Sequence, residues 1–296
     1  MTTDPGGDPS PDTPDADLPA PAHAPRVDRR VFLAGVGGSL ALGAAACSSP
    51  SARDTTPPTR GSSTAAPSTP SGSGSTTAAS PTTTSSPARI TPAVLQTDGP
   101  DIVHGPSSAP DVALTFHGAG DPALTRRVLG LLARHDARVT VFAVGTWLEA
   151  HPEMAQRILR GGHALGNHTW SHRTMPRLDA ATARTEVARG AEAVAAVDGS
   201  SPLLFRPSGT PTSTATIRAA ARAAGYHRCV SYSVDPRDYA DPGAAAVTAR
   251  TLSAVRPGSI VSLHLGHPGT AAALPSVLSG LASRGLRAVT LTELLA

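Results

Sequence analysis

Between Gly162 and His172 the chain reads Gly-His-Ala-Leu-Gly-Asn-His-Thr-Trp-Ser-His. His168 and His172 stand four residues apart, directly after a short apolar segment. Neutral imidazoles at that spacing can point at one centre where the backbone turns helically, and imidazole is the commonest protein ligand for zinc and similar ions. An isolated H-x-x-x-H is more often a pair of polar loop histidines. This one has company. Downstream come Phe205-Arg206-Pro207-Ser208-Gly209, then Asp235-Pro236-Arg237-Asp238-Tyr239, then Leu263-His264. Each lies at the end of an apolar run, as does His117 after Val112 to Phe116.

The elements that must position these residues come from the second half of the chain. Strands are expected at Val112 to Phe116, Val139 to Val144, Leu203 to Phe205, His227 to Tyr232, Ile260 to Leu265 and Leu286 to Leu291, with a weaker one at His163 to Leu165. Helices are expected between them. Asp121-Pro122 has an N-cap residue followed by proline at the first helical position, which opens one. Pro152 opens a second that ends at Gly161. A third runs from Asp179 to Val197, a fourth ends at Gly225, Asp241-Pro242 opens a fifth, and Leu274 to Ala282 forms a sixth. Strands alternating with helices at this spacing argue for βαβ units and a parallel sheet. The pattern fits a small, incomplete (β/α) barrel, whose chemistry sits at the carboxyl ends of the strands. His117, His168, Arg206, Asp235, Asp238 and His264 all fall there.

These motifs, in this order, resemble the polysaccharide deacetylases of the NodB-homology type, carbohydrate esterase family four. The resemblance spans Asp111 to Glu293. It implies an α/β fold, a distorted (β/α)7 barrel, and removal of acetyl groups from peptidoglycan, xylan or chitin-like chains with a divalent metal held by Asp-His-His. His168-Thr169-Trp170-Ser171-His172 keeps the family's H-[ST]-x-x-H, which implies that His168 and His172 are metal ligands. Arg206 matches the arginine that orients the catalytic base, and His264 the catalytic histidine. Asp238-Tyr239 stands where the family has an aspartate followed by Trp, and implies that Asp238 supports His264. A carboxylate on one imidazole nitrogen fixes the tautomer and raises the basicity of the other.

The first motif departs from the pattern. The family reads Thr-Phe-Asp-Asp-Gly; this chain reads Thr115-Phe116-His117-Gly118-Ala119. His117 replaces the general base, and Gly118, without a side chain, replaces the third metal ligand. Two alternatives follow. His117 becomes the third ligand, giving three histidines and an open position that suits catalytic zinc; or Asp121 swings in as ligand and His117 acts as base. Asp121 also has a plain role as helix cap. The metal expected is zinc, with cobalt or nickel as substitutes. Trp170 has two readings, a sugar platform or a packing residue, and His267 reads as a loop histidine at the rim.

The rest of the chain concerns delivery. Residues 1–47 hold a Pro- and Asp-rich tail, then Asp28-Arg29-Arg30-Val31-Phe32-Leu33 and an apolar run to Ala46. This resembles a twin-arginine export signal, and the run is short of the roughly 20 residues that span a bilayer. Ala44-Ala45-Ala46-Cys47 resembles a lipoprotein cleavage site, which makes Cys47 the lipidation residue and the outer face of the cell membrane the expected location, with plain secretion as the alternative. Residues 48–100 are rich in Ser, Thr and Pro and read as a disordered linker with a reach of roughly 40 Å; residues 101–296 read as the deacetylase-like domain. The net charge of +3 and the lack of arginine runs on an aromatic surface argue against nucleic-acid binding. A monomer acting on an extracellular polysaccharide is expected. Loss of both first-motif aspartates leaves a second expectation, a degenerate glycan-binding lipoprotein.

Overall fold

The computed structural model describes residues 91–296. Five strands form one parallel sheet: β1 (Asp111–Gly118), β2 (Thr140–Ala143), β3 (Ala164–Asn167), β4 (Ile260–His264) and β5 (Arg287–Val289). The order is β3-β2-β1-β4, with β5 beside the first residues of β1. Eight helices accompany them: α1 (Pro122–Arg134), α2 (Gly145–Ala150), α3 (Pro152–Arg160), α4 (Ala180–Asp198), α5 (Ala215–Ala223), α6 (Ala244–Ala254), α7 (Pro268–Ser283) and α8 (Leu291–Leu294).

Two of the expected strands shrink to single bridges. Phe205 pairs only with Asn167, because Pro202 and Pro207 bracket the run and remove the donors a longer ladder needs. In the His227 to Tyr232 run, Val230 pairs with Ile102, and farther on Val234 pairs with Val261 of β4. These bridges carry main-chain pairing from β3 past Phe205 and Val230 toward β4. Helix ends follow their signals in most places. Asp121 caps α1, Asp179 caps α4, and Gly199 ends α4 in the left-handed region. The fifth helix starts at Ala244 rather than at Pro242, since Asp241 and Gly243 both take positive φ. The sixth starts at Pro268, earlier than expected, and α2 and α8 gave no sequence signal.

Val112 to Phe116 are all buried, as a strand covered on both faces requires. One apolar cluster lies under α1, α3 and α7 and includes Leu114, Phe116, Leu132, Val141, Ile158, Leu274 and Leu281. Each such side chain contributes about 1.5–3 kcal/mol of burial. A second cluster contains Ala113, Phe142, Leu204, Ile260, Leu291 and also Leu95. The folded part therefore begins before residue 101. Ala93–Leu95 is a turn of 3-10 helix, and Asp101 accepts the Ser213 N–H at 2.6 Å. The export segment, Cys47 and the linker up to residue 90 lie outside the described residues. Among those described, no helix is long and apolar enough to cross a membrane.

Candidate functional site

Strand register puts the first pair of site residues together. His117 on β1 is the partner of His264 on β4, so both side chains leave the same face of adjacent strands. Their ring centroids are 4.3 Å apart. Asn167 ends β3, one residue before His168, and the His168 ring lies tilted at 4.4 Å from His117 on its other side. His172 follows at 5.0 Å from His168. One ligand nitrogen from each of His117, His168 and His172 lies within 4.8 Å of the other two.

The turn that aims His168 and His172 is held against its backbone preference. Thr169 and His172 have φ of 68° and 57°, a region that costs ordinary L-residues about 1–2 kcal/mol each. Asn167 Oδ1 accepts the Thr169 N–H, and the Asn167 amide donates to Val187 of α4. Glu186, buried on the same face of α4, accepts the Ser171 N–H and hydroxyl at 2.9 and 2.6 Å. Its carbonyl accepts the Trp170 N–H. Gly190 lets α4 approach so closely, since a Cβ there would meet Asn167 and the Thr169 backbone. Trp170 packs on Gly145 with Arg189 over its ring at 3.8 Å, which favours packing over a sugar platform.

The histidines fit a divalent ion. His168 Nδ1 lies 2.8 Å from the Arg206 carbonyl, which only accepts, so Nδ1 carries the proton. The lone pair is then on Nε2, which is buried without a hydrogen-bond partner. An orphaned acceptor at that depth costs about 1–3 kcal/mol, and an ion beside it removes the cost. A carbonyl behind a ligand imidazole is the usual orienting arrangement. Burial first, and the neighbouring cationic groups second, hold both His117 and His168 well below the ordinary histidine range, so their lone pairs are available at neutral pH. Three neutral imidazoles leave an open position for a further ligand.

Asp121 is not in this cluster. Its Oδ1 caps α1 by accepting the Ala123 N–H at 2.7 Å, so the expectation that it swings in as ligand is corrected. Asp235 is not among the three clustered ligand residues either, and its Oδ1 accepts the Arg237 N–H at 2.8 Å. Gly118 has a positive reason to lack a side chain. A Cβ there would lie 2.7 Å from Val141 Cγ1 and 3.0 Å from the Ala143 Cα, because β1 and β2 run close. His117 Nε2 is 3.3 Å from the Ser262 hydroxyl.

On the other side of His117 the groups are fully wired. Asp238, entirely buried, accepts from His264 Nδ1 at 2.7 Å, from the His264 N–H at 2.7 Å and from the Thr270 hydroxyl at 2.6 Å. Thr270 sits in the first turn of α7. Arg206 is buried as well, but it does not orient a base. Its donors go to Thr115 Oγ1 and to the Val230 and Ser231 carbonyls. It lies over Phe142 at 4.2 Å, and burial pushes its pKa down to about 9.

Glu186, Asn167 and Thr270 are functional neighbours that the motifs alone do not single out. Glu186 had a signal: it falls with Ala183, Val187 and Gly190 on the apolar stripe of α4, where an acid needs a reason. His267 is not a solvated loop residue, since Nδ1 lies 3.0 Å from Asp241 Oδ1. Cys229 is buried as a small apolar residue, its thiol pushed up to about 11 by burial.

Comparison with known proteins bears on the family and the fold. Residues 104–229 match the family model described as polysaccharide deacetylase. A peptidoglycan-N-acetylglucosamine deacetylase from Bacillus cereus is 33% identical over 194 residues, 64% of this chain and 90% of the relative. A chitooligosaccharide deacetylase from Bradyrhizobium is 36% identical over 164 residues, 55% of this chain and 74% of the relative. The fold recurs in a CE4 family pseudoenzyme from Bacillus anthracis, with a TM-score of 0.62 at 24% identity, over 66% of this chain and 69% of that one. That last likeness concerns the fold alone. On its sequence and its fold, the chain belongs to the polysaccharide deacetylase family.

Proposed function

We propose that the chain is a metal-dependent N-deacetylase of an extracellular N-acetylated polysaccharide, of the peptidoglycan or chitooligosaccharide class. As a family member it is a hydrolase of carbon–nitrogen bonds other than peptide bonds. The observation that carries the metal is His168 Nε2, buried and unpartnered beside the donor atoms of His117 and His172. These three residues would hold the ion, with zinc the best match to an all-imidazole set. When bound, such an ion supplies a Lewis acid for the amide carbonyl and an acidified water.

The chain's own residues do the rest. His117 is given to the ion in this reading and is not the base. Proton handling then falls to His264, whose Nδ1 is tied to Asp238 and whose other nitrogen is left to accept or donate. Asp238 fixes the tautomer and stabilises the imidazolium that forms, and Thr270 fixes Asp238. The proton is delivered to the departing nitrogen, since an amine leaves far more readily than an amide anion. Arg206 braces β1 against the Val230 and Ser231 segment.

The test is acetate release from N-acetylglucosamine oligomers and from peptidoglycan, with zinc, cobalt or nickel supplied. Release that disappears on chelation and returns with one of these ions is expected. Oligomer binding without release under any ion would favour the second reading, a glycan-binding protein. The location belongs to the same proposal. The paired arginines, the short apolar run and Cys47 support an exported lipoprotein that reaches its substrate through the linker, acting as a monomer.

A further inference from the structure

The His117 ring meets a hydroxyl as well as its two neighbouring imidazoles. Ser262 Oγ stands 3.3 Å from His117 Nε2. Ser262 lies on β4 two residues before His264, so both leave that strand on the face shared with His117. It pairs with Thr115, which lies two before His117 on β1. Thr115 Oγ1 gives its hydrogen to the Val261 carbonyl at 2.6 Å and accepts from Arg206 at 2.8 Å. A polar layer of Thr115, Arg206 and Ser262 therefore underlies the histidines. Ser262 is 2% exposed, and it is the one polar residue from Ile260 to Leu263. A hydroxyl at that depth is costly unless it bonds, and His117 is what it bonds.

The strand order says which nitrogen of His117 is left over. In β3-β2-β1-β4, strand β4 flanks β1 on one side, and the end of β3 that leads into His168 lies on the other. The two nitrogens of an imidazole occupy opposite edges of the ring. With Nε2 turned to Ser262 on β4, Nδ1 lies on the edge away from β4, the side of His168. A ligand imidazole is ordinarily steadied by an acceptor on its second N–H. His168 has the Arg206 carbonyl in that place. A serine oxygen can fill it equally well, since it carries two lone pairs and a hydrogen free to rotate.

We propose that Ser262 is the positioning residue that makes His117 a metal ligand: its Oγ accepts the Nε2–H and leaves the lone pair on Nδ1. The proposal rests on the reading in which His117, His168 and His172 hold the ion. It gives the cluster two opposite tautomers, with the proton on Nδ1 in His168 and on Nε2 in His117. The outer bond of a histidine side chain has a broad, roughly two-fold preference, so an unheld ring turns over and offers a carbon where the nitrogen was. The bond to Ser262 penalises that turn.

The experiment measures zinc affinity by competition with a chromophoric chelator for wild type, Ser262→Ala and Ser262→Thr, with circular dichroism of the metal-free proteins as the folding control. Ser262→Ala should bind zinc about 10–100-fold more weakly, and Ser262→Thr, which keeps the hydroxyl, should stay within about threefold of wild type. The visible spectrum of the cobalt form should change in Ser262→Ala and not in Ser262→Thr. In the metal-free wild type, nitrogen-15 shifts should place the His117 proton on Nε2. A proton on Nδ1 of His117, or an unchanged zinc affinity in folded Ser262→Ala, would each overturn the proposal. So would a folded Ser262→Thr as weak as Ser262→Ala. Should the threonine variant not fold, the tautomer and the alanine variant decide. If wild type binds none of zinc, cobalt or nickel, the three-histidine reading fails and takes this role with it; a wild type that binds zinc beside an indifferent alanine variant sinks Ser262 alone.

Discussion

His168 and His264 stand on opposite sides of His117, and the chain treats them in opposite ways. Each has its Nδ1 tied down. His168 faces a carbonyl, which fixes the ring without supporting a positive charge, and its second nitrogen is buried with nothing to bond. His264 faces a carboxylate that is itself held by Thr270. A carbonyl partner makes a lone-pair donor; a carboxylate partner makes a group that can carry a proton and release it. In the proposed reading the same side chain would serve an ion on one side and proton transfer on the other, and the difference lies in what stands behind the ring.

The sharpest way to break this division is His168→Ala. Bound zinc should fall from near stoichiometric to a trace by elemental analysis, with acetate release reduced by more than about four orders of magnitude. Next is Asp238→Asn, expected to cost about 10²–10⁴ in kcat while zinc content stays at the wild-type level. If zinc is lost with Asp238, the two sides are not separable.

A smaller effect concerns a histidine outside both sides. His163 is buried, and burial holds its pKa at about 4 while Nδ1 accepts the Val139 N–H. The folded state resists protonation that the unfolded chain accepts near 6.5. Stability is therefore full above about pH 6.5 and falls as pH drops toward about 4, by up to about 3 kcal/mol. His163→Gln should flatten that part of the urea-unfolding profile against pH. Smallest is Gly118→Ala, which forces a methyl group between β1 and β2 and should cost about 1–3 kcal/mol, read as a lower Tm.

Much of the site was legible, because each motif ends an apolar run and strands deliver their ends to one face. His168, His172, Arg206, Asp238 and His264 could all be named from local pattern. Asp121 was ambiguous in the sequence for a physical reason: a carboxylate before Pro122 serves equally as a cap or as a ligand, and only its distance from the cluster decides. Glu186, Thr270 and the Asp241–His267 pair stayed hidden because their partners are far along the chain. The two reduced strands were missed for a related reason. Apolar content at Leu203 to Phe205 predicts burial, whereas the length of a ladder depends on where Pro202 and Pro207 fall and on Ile102 supplying the neighbour of Val230.

The left-handed turn at Thr169 and His172 has one more consequence. Asn167, Glu186 and the α4 backbone already fix it by side-chain and main-chain bonds. Under the proposed metal-dependent reading, an arriving ion would find its cradle finished and would have no loop to order. Loading would then resemble docking into a rigid crystal face more than the collapse of a zinc finger around its metal, and the scaffold would keep its shape through rounds of stripping and refilling.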